Sequence, residues 1–414
     1  MCLGGSGVGA FCAVVRSPPP AAAYERGYAP RRLRLDRRPN SGLAGPPSVC
    51  VLPREPVAGA WIPSPTQCNR SAMTRGSSSP SWRETLAPFA VPCLRRGLFA
   101  VATSVAPYLA LCGVLYVTLG VSPALTGVLS ILAAGFLVRV FVVFHDCAHG
   151  SLLPSRRANA VLGSVLGVLI LSPFRRWRHD HAVHHATSGD LDRRGVGDIL
   201  TLTVAEYRAR SWRGRVAYRL VRNPFVMFGL GPVFAMIVGP RIVARGARPR
   251  MRNSVLGTDA ALFVLVGGVC WLIGWRDFLI VWAPAALLAG SVGIWLFYVQ
   301  HQFEDAYWQS GDVWSYADAA LRGSSYLRLP RVLQFFTGSI GLHHVHHLNA
   351  RIPNYNLQRA HDASSVFAAV PTLSLWDGLR SVRFKLWDEQ AGRLVTFAQA
   401  RRDVRPAAAL SHGG

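Results

Sequence analysis

The sequence predicts an all-α integral membrane protein, with about four transmembrane helices, further interfacial helices and a cytoplasmic helical cap. Three observations predict it. Half of the 414 residues are hydrophobic and only 16% are charged, a balance too apolar for an ordinary soluble domain. Runs of about 20 apolar residues, long enough to cross a bilayer, stand between arginine-rich segments. Eleven of the thirteen histidines fall between His145 and His347, at or beyond the ends of those runs.

In chain order, residues 1–72 differ from the rest. They hold eleven prolines, four cysteines and nine arginines against three acids, without sustained periodicity. Being Arg-rich and acid-poor they suit a transit peptide, but the prolines spoil an amphipathic presequence. The alternative is an upstream extension with initiation at Met73, disordered either way. Phe99–Val121 is the first expected span and Pro123–Phe144 the second, paired as a hairpin through a short uncharged linker. Arg95 and Arg96 precede the first, so the N-terminal side and His145 are expected in the cytoplasm.

Residues 175–253 carry sixteen arginines against five acids, a net of +11, and belong to the same side. Within them Phe225–Pro240 is apolar but flanked by arginines at both ends, which predicts an interfacial or re-entrant helix. Ala160–Leu171 is short and predicted to dip rather than span. Val255–Trp275 and Phe278–Val299 are the third and fourth spans, with a tight turn expected at Arg276 and Asp277. Two crossings return the chain to the side of His145. Residues 303–414 are more polar and predict the cap. The expected domain limits are 73–375 for the membrane domain and 376–414 for a polar tail.

The formal charge of +24 rests almost wholly on arginine, Lys385 being the single lysine. Arginines flanking apolar spans set orientation and meet anionic lipid. No stacking-aromatic or zinc-finger pattern supports nucleic acid as a partner. The eight cysteines form no CxxC pair, so neither a zinc ribbon nor a disulfide framework is indicated.

The histidines carry the chemistry. They read HDCAH (His145 to His149), HAVHH (His181 to His185) and HHVHH (His343 to His347). Imidazole is the commonest protein metal ligand, and residues i, i+3 and i+4 of a helix share a face. His145 and His149 have the i, i+4 spacing. His181, His184 and His185 have i, i+3, i+4, and so do His343, His346 and His347. Each cluster is expected to aim two or three imidazoles at one point. Eight such nitrogens exceed the needs of one zinc and suit two metals, with iron, copper, nickel and zinc all compatible. His301, directly after the fourth span, is a candidate ninth ligand. His179 and His344 fall off these faces and are expected in outer or surface positions; His361 and His412 look incidental. Asp146, Asp190, Asp192, Asp198, Glu304 and Asp305 are candidates to receive the second N–H of a ligating histidine, Asp198 and Glu304 foremost.

The three clusters resemble the histidine boxes of the membrane fatty acid desaturases. The stretches His184 to Asp198, Trp295 to Asp305 and Gly341 to Tyr355 are similar to the bacterial acyl-lipid, delta-12 (omega-6) type group, and the likeness covers roughly Trp82 to Leu375. It implies a centre of two non-haem iron ions that uses O2 and two electrons to remove two hydrogens from an acyl chain, leaving a cis double bond. The implied ligands are His145, His149, His181, His184, His185, His343, His346 and His347. His301 matches a further ligand of the animal acyl-CoA desaturases. The chain departs from those enzymes at Phe297, where they place an asparagine, and in a first box shorter by one residue. The implied substrate is an acyl chain on lipid, or on acyl-CoA or acyl-ACP, in a bacterial plasma membrane with the site on the cytoplasmic face. No haem-binding, flavin or Rossmann segment is present, so electrons are expected from a separate carrier such as ferredoxin or cytochrome b5. Phe136, Phe141, Phe144, Trp295 and Phe297 are candidates to line the acyl path.

Two alternatives share these features. A related di-iron hydroxylase or carotenoid ketolase would use the same ligands, although the alkane hydroxylases are expected to show HExxH where this chain has Asp146 and Ala182. A membrane metal transporter or store would place ligands within the spans, whereas these lie at span ends.

Overall fold

The computed structural model describes residues 81–243 and 246–402. The expected extension, residues 1–72, and His412 lie outside them. Helix α1 (Leu94–Val117) and helix α2 (Pro123–His149) form the first hairpin. The Ser122 hydroxyl accepts the Leu125 N–H at 3.5 Å, Pro123 occupies the first turn, and Gly150 at φ +68° ends α2. These are ordinary start and stop signals. Because nothing interrupts α2 before Gly150, His145 and His149 form its last turn.

Helices α3 (Arg156–Leu169) and α4 (Phe174–Thr187) are bent by 103° against each other. At 14 residues each they are about 21 Å long, short of the roughly 30 Å hydrocarbon core. The bend passes through Leu171 at φ +57°, a left-handed conformation that costs a residue with a Cβ roughly 1–2 kcal/mol. It is held by the Ser172 N–H on the Gly167 carbonyl at 2.6 Å. A Cβ on Gly167 would lie 2.4 Å from the Ser172 oxygen, so this turn needs glycine. Helix α5 (Trp212–Val221) and the segment Val226–Arg241 are likewise bent, by 59°. Arg241 closes that segment onto the first bend, donating to the Leu171 carbonyl at 2.6 Å and pairing with Asp259 at 2.9 Å.

Helices α6 (Pro249–Ile273) and α7 (Trp275–His301) complete the four helices, among the described residues, that are long and apolar enough to cross a membrane. Their break is at Gly274, φ +84°, two residues before the expected turn. Arg276 and Asp277 instead begin α7, where the carboxylate of Asp277 suits the helix N-terminus. Helix α2 is central: half of its most apolar window is buried, against 6% for α6. Peripheral α6 leaves Phe263 and Trp271 more than four-fifths exposed, as a lipid-facing helix should. Helix α2 packs against α1 and α7. Small buried residues, Ala133 and Ala134 on α2 and Ala285, Ala286 and Ala289 on α7, allow close approach where hydrocarbon offers no hydrophobic drive.

The cap beyond His301 includes the short helix α8 (His343–Leu348). It is not purely helical. Its strands β2 (Leu386–Asp388) and β3 (Arg393–Val395) form one sheet with β1 (Leu202–Thr203), which comes from the segment before the third span; Leu202 lies beside Leu386 in parallel and Leu386 opposite Val395 antiparallel. Strands this short carry no alternation that a sequence could display. The buried Tyr218 hydroxyl fastens the sheet, accepting the Leu202 N–H at 3.2 Å and donating to the Lys385 carbonyl at 2.6 Å.

Candidate metal centre

The last turns of α2 and α7 meet α4 and α8 at one end of the helices. There the nine histidines named from the sequence fall into two groups. One is His145, His149, His181, His185 and His346; the other is His184, His301, His343 and His347. In each group the candidate ligand atoms lie within 4.8 Å of one another. The expectation that each cluster aims at one point is corrected by the geometry. Residues advance 100° per position on a helix, so i and i+4 are 40° apart while i+3 points 100° away from i+4. His181 and His185 therefore face one group and His184 the other. His343 and His347 share a group while His346 joins the opposite one.

The groups abut: the His185 and His347 rings stack at 4.2 Å across the boundary. Within the first, His185 Nε2 is 3.1 Å from His181 Nε2 and 2.9 Å from His346 Nε2. Within the second, His301 Nε2 is 3.0 Å from His343 Nε2. Two nitrogens held at right angles, 2.0–2.1 Å from one metal, would be about 2.9 Å apart. The buried Nε2 atoms of His149, His184 and His347 have no hydrogen-bond partner. Burial, reinforced by neighbouring imidazoles, holds His343, His346 and His347 well below the ordinary histidine pKa, so their rings are neutral with free lone pairs. Convergent neutral imidazoles with unpartnered nitrogens fit metal ions.

Outer partners orient several rings. His145 Nδ1 is 3.2 Å from Asp146 Oδ1, and Asp146 Oδ2 accepts the Asn354 N–H at 2.7 Å. His184 Nδ1 contacts Asp198 Oδ1. His301 Nδ1 lies 3.1 Å from the Gly323 carbonyl. Such contacts fix tautomer and ring direction. Asp198 stands where the sequence pointed. Glu304 does not: it pairs with Arg393 at 2.8 Å, both side chains more than two-fifths exposed. The reason is that α7 ends at His301 and the chain turns, burying Gln302 and Phe303 while Glu304 points outward. Asp146 carries more than its sequence rank suggested; the available signal was a carboxylate within an otherwise apolar helix end. Asp190 and Asp192 accept backbone N–H groups of Asp192, Arg193 and Gly311, and Asp305 is exposed.

His344 is buried and pairs with His361 at 3.0 Å, outside both groups, so His361 is not incidental. His179 is half-exposed beside Asp180. Trp177, which no sequence pattern singled out, stacks on His181 at 4.4 Å and packs against Phe144 at 5.0 Å. Phe297 lies 5.0 Å from His184 and 5.5 Å from His301. Together they give the centre apolar neighbours. Phe141 reaches it through Trp177. Phe136 packs instead on Phe335 and Phe336, and Trp295 donates to the Gly378 carbonyl.

Comparison with known proteins bears on this geometry. A family profile described as fatty acid desaturase matches residues 122–376. A fatty acid desaturase of Bacillus subtilis is 46% identical over 312 residues, covering 75% of this chain and 89% of the relative. Two Synechocystis proteins are more distant. The sn-1 acyl-lipid omega-3 desaturase (ferredoxin) is 30% identical, and the sn-1 oleoyl-lipid 12-desaturase 28%. Each match covers 54% of this chain, and 63% and 64% of those relatives.

Proposed function

This chain belongs to the fatty acid desaturase family, a group of membrane oxidoreductases acting on acyl chains, and from that premise we propose that its two histidine groups hold two non-haem iron ions. His145, His149, His181, His185 and His346 hold one; His184, His301, His343 and His347 hold the other. The observation that carries this reading is the two abutting sets of neutral, convergent imidazoles, of a kind suited to iron. When bound, the iron pair supplies O2 reduction with two external electrons, coupled to removal of two hydrogens from the chain.

The protein's own residues position and exclude. Asp146 and Asp198 hold His145 and His184 in fixed orientations. Trp177, Phe144 and Phe297 offer the acyl chain an apolar approach and keep water off the reacting carbons. Fixing one carbon pair beside the centre is a positioning effect. The substrate is an acyl chain carried on membrane lipid, of the delta-12/omega-6 type. The names of the cyanobacterial relatives, which specify acyl-lipids and in one case ferredoxin, support a lipid-linked chain and a ferredoxin-like donor, with cytochrome b5 as the other carrier of suitable chemistry. Arginines at both ends of Val226–Arg241 and in the first turn of α1 favour a cytoplasmic site in a bacterial plasma membrane.

The test is expression of the full chain in a bacterial host without polyunsaturated lipids, beside a His184→Ala control. Membrane fatty acids are analysed by gas chromatography–mass spectrometry, with derivatisation to locate double bonds. A new double bond absent from the control is expected. A hydroxylated acid in its place would assign hydroxylation. No product from stable, iron-loaded protein supplied with ferredoxin would overturn the reading.

A further inference from the structure

A second feature lies on the flank of the spans and is lined by none of the nine histidines. A cleft of about 700 Å³ is walled by the start of α1, by α2 and by the short helix Arg331–Phe336. Four guanidinium groups line it: Arg95, Arg96, Arg139 and Arg331. No carboxylate does, and none of the four is ion-paired among the described residues. Arg139 is the telling member. It belongs to a membrane-spanning helix, where a cation is costly and usually functional. Its Nη1 donates to the Phe335 carbonyl and its guanidinium sits 4.1 Å over the Phe335 ring. Its Nε is buried without a partner. Arg95, Arg96 and Arg331 are exposed, and Arg96 donates to Asn356 Oδ1 at 2.6 Å; four cations without a carboxylate among them suit an anion, and arginine forks match phosphate oxygens.

We propose that this cleft binds the phosphate of an anionic glycerophospholipid whose acyl chains lie along the spans. The apolar rim favours a lipid over a soluble anion: Phe99 is 68% and Phe335 43% exposed beside the arginines. One chain of contacts joins the cleft to the centre. Asn354 lines the cleft, and its N–H is bound by Asp146, the partner of His145. The proposal rests on the reading of the chain as a membrane desaturase and assigns the cleft a lipid of this headgroup class.

Native mass spectrometry of the iron-loaded full chain in nonionic detergent tests it. The probes are phosphatidylglycerol, diacylglycerol with the same acyl chains, inorganic phosphate and an acyl-CoA. Selective retention of phosphatidylglycerol over diacylglycerol is expected. An Arg139→Gln/Arg331→Gln variant should bind it about thirtyfold more weakly, at roughly 1 kcal/mol per arginine, and the lysine pair should restore most of the binding. Should the double variant fail to fold, exposed Arg331→Gln alone should cost about fivefold. Equal retention of both lipids, or a glutamine variant that binds as wild type, overturns the site. So does competition by inorganic phosphate or acyl-CoA at lower concentration than the lipid. A chain that desaturates but shows no phosphate selectivity refutes the cleft and leaves the enzymatic reading standing. Selective binding without any unsaturated product does the reverse.

Discussion

The five-histidine and four-histidine groups are built differently. Four members of the first, His145, His149, His181 and His185, come from two helices close in sequence, and only His346 arrives from the cap. The second takes one residue from α4, one from the end of α7 and two from α8, so it cannot form until the fourth span returns. The outer carboxylate of the first, Asp146, is fixed within α2; that of the second, Asp198, sits in the turns that follow α4. Behind the second group, Tyr298 and Gln302 are held by the buried Arg222, whose Nη2 donates to Gln302 at 2.7 Å. The lesson is that two sites sharing one pair of helices differ in how far their assembly depends on long-range closure. The four-histidine site, with fewer ligands and more distant ones, should be the weaker.

The largest test of that ranking is His301→Ala against His149→Ala. The first leaves three imidazoles in its group and the second leaves four. We expect His301→Ala to retain about one of two irons and to lose activity at least about 100-fold, while His149→Ala keeps nearly all its metal. Metal analysis of the purified variants decides it; equal loss from both would erase the distinction. Next is Asp198→Asn, which should weaken metal binding at the four-histidine group about 10- to 100-fold. It should appear in a chelator time course as a faster first phase with the second unchanged. A uniform acceleration of both phases would mean that the two metals are not separable.

A smaller effect concerns the backing of the second group. Burial, then Arg222, lowers the Lys385 pKa to about 7. Between that value and the ordinary lysine range the unfolded chain binds more protons than the folded one, so stability rises with pH across this window. Lys385→Met should therefore raise the unfolding temperature most at or below about pH 7 and little near pH 10. A gain independent of pH would refute this account. Smallest of all is Glu304→Gln. Its pair with Arg393 is exposed and worth at most about 0.5–1 kcal/mol, so metal content and product formation should not change; a loss of either would return Glu304 to the centre.

The sequence by itself determined the membrane class and the four long apolar helices, because apolar length is a local property, and it named the nine histidines that the structure gathers into two groups. It also located Asp198, which follows the second cluster closely enough to return to it. Only the tertiary structure decided how the histidines are shared. Adjacent His184 and His185 serve opposite groups because helical rotation separates their side chains and the 103° bend before α4 sets which neighbour each meets. It likewise turned Glu304 outward and brought Asp146, Trp177 and the His344–His361 pair into place. Those contacts join residues far apart in the chain, and spacing along a sequence reports on neighbours within a helix, not on which helices pack together.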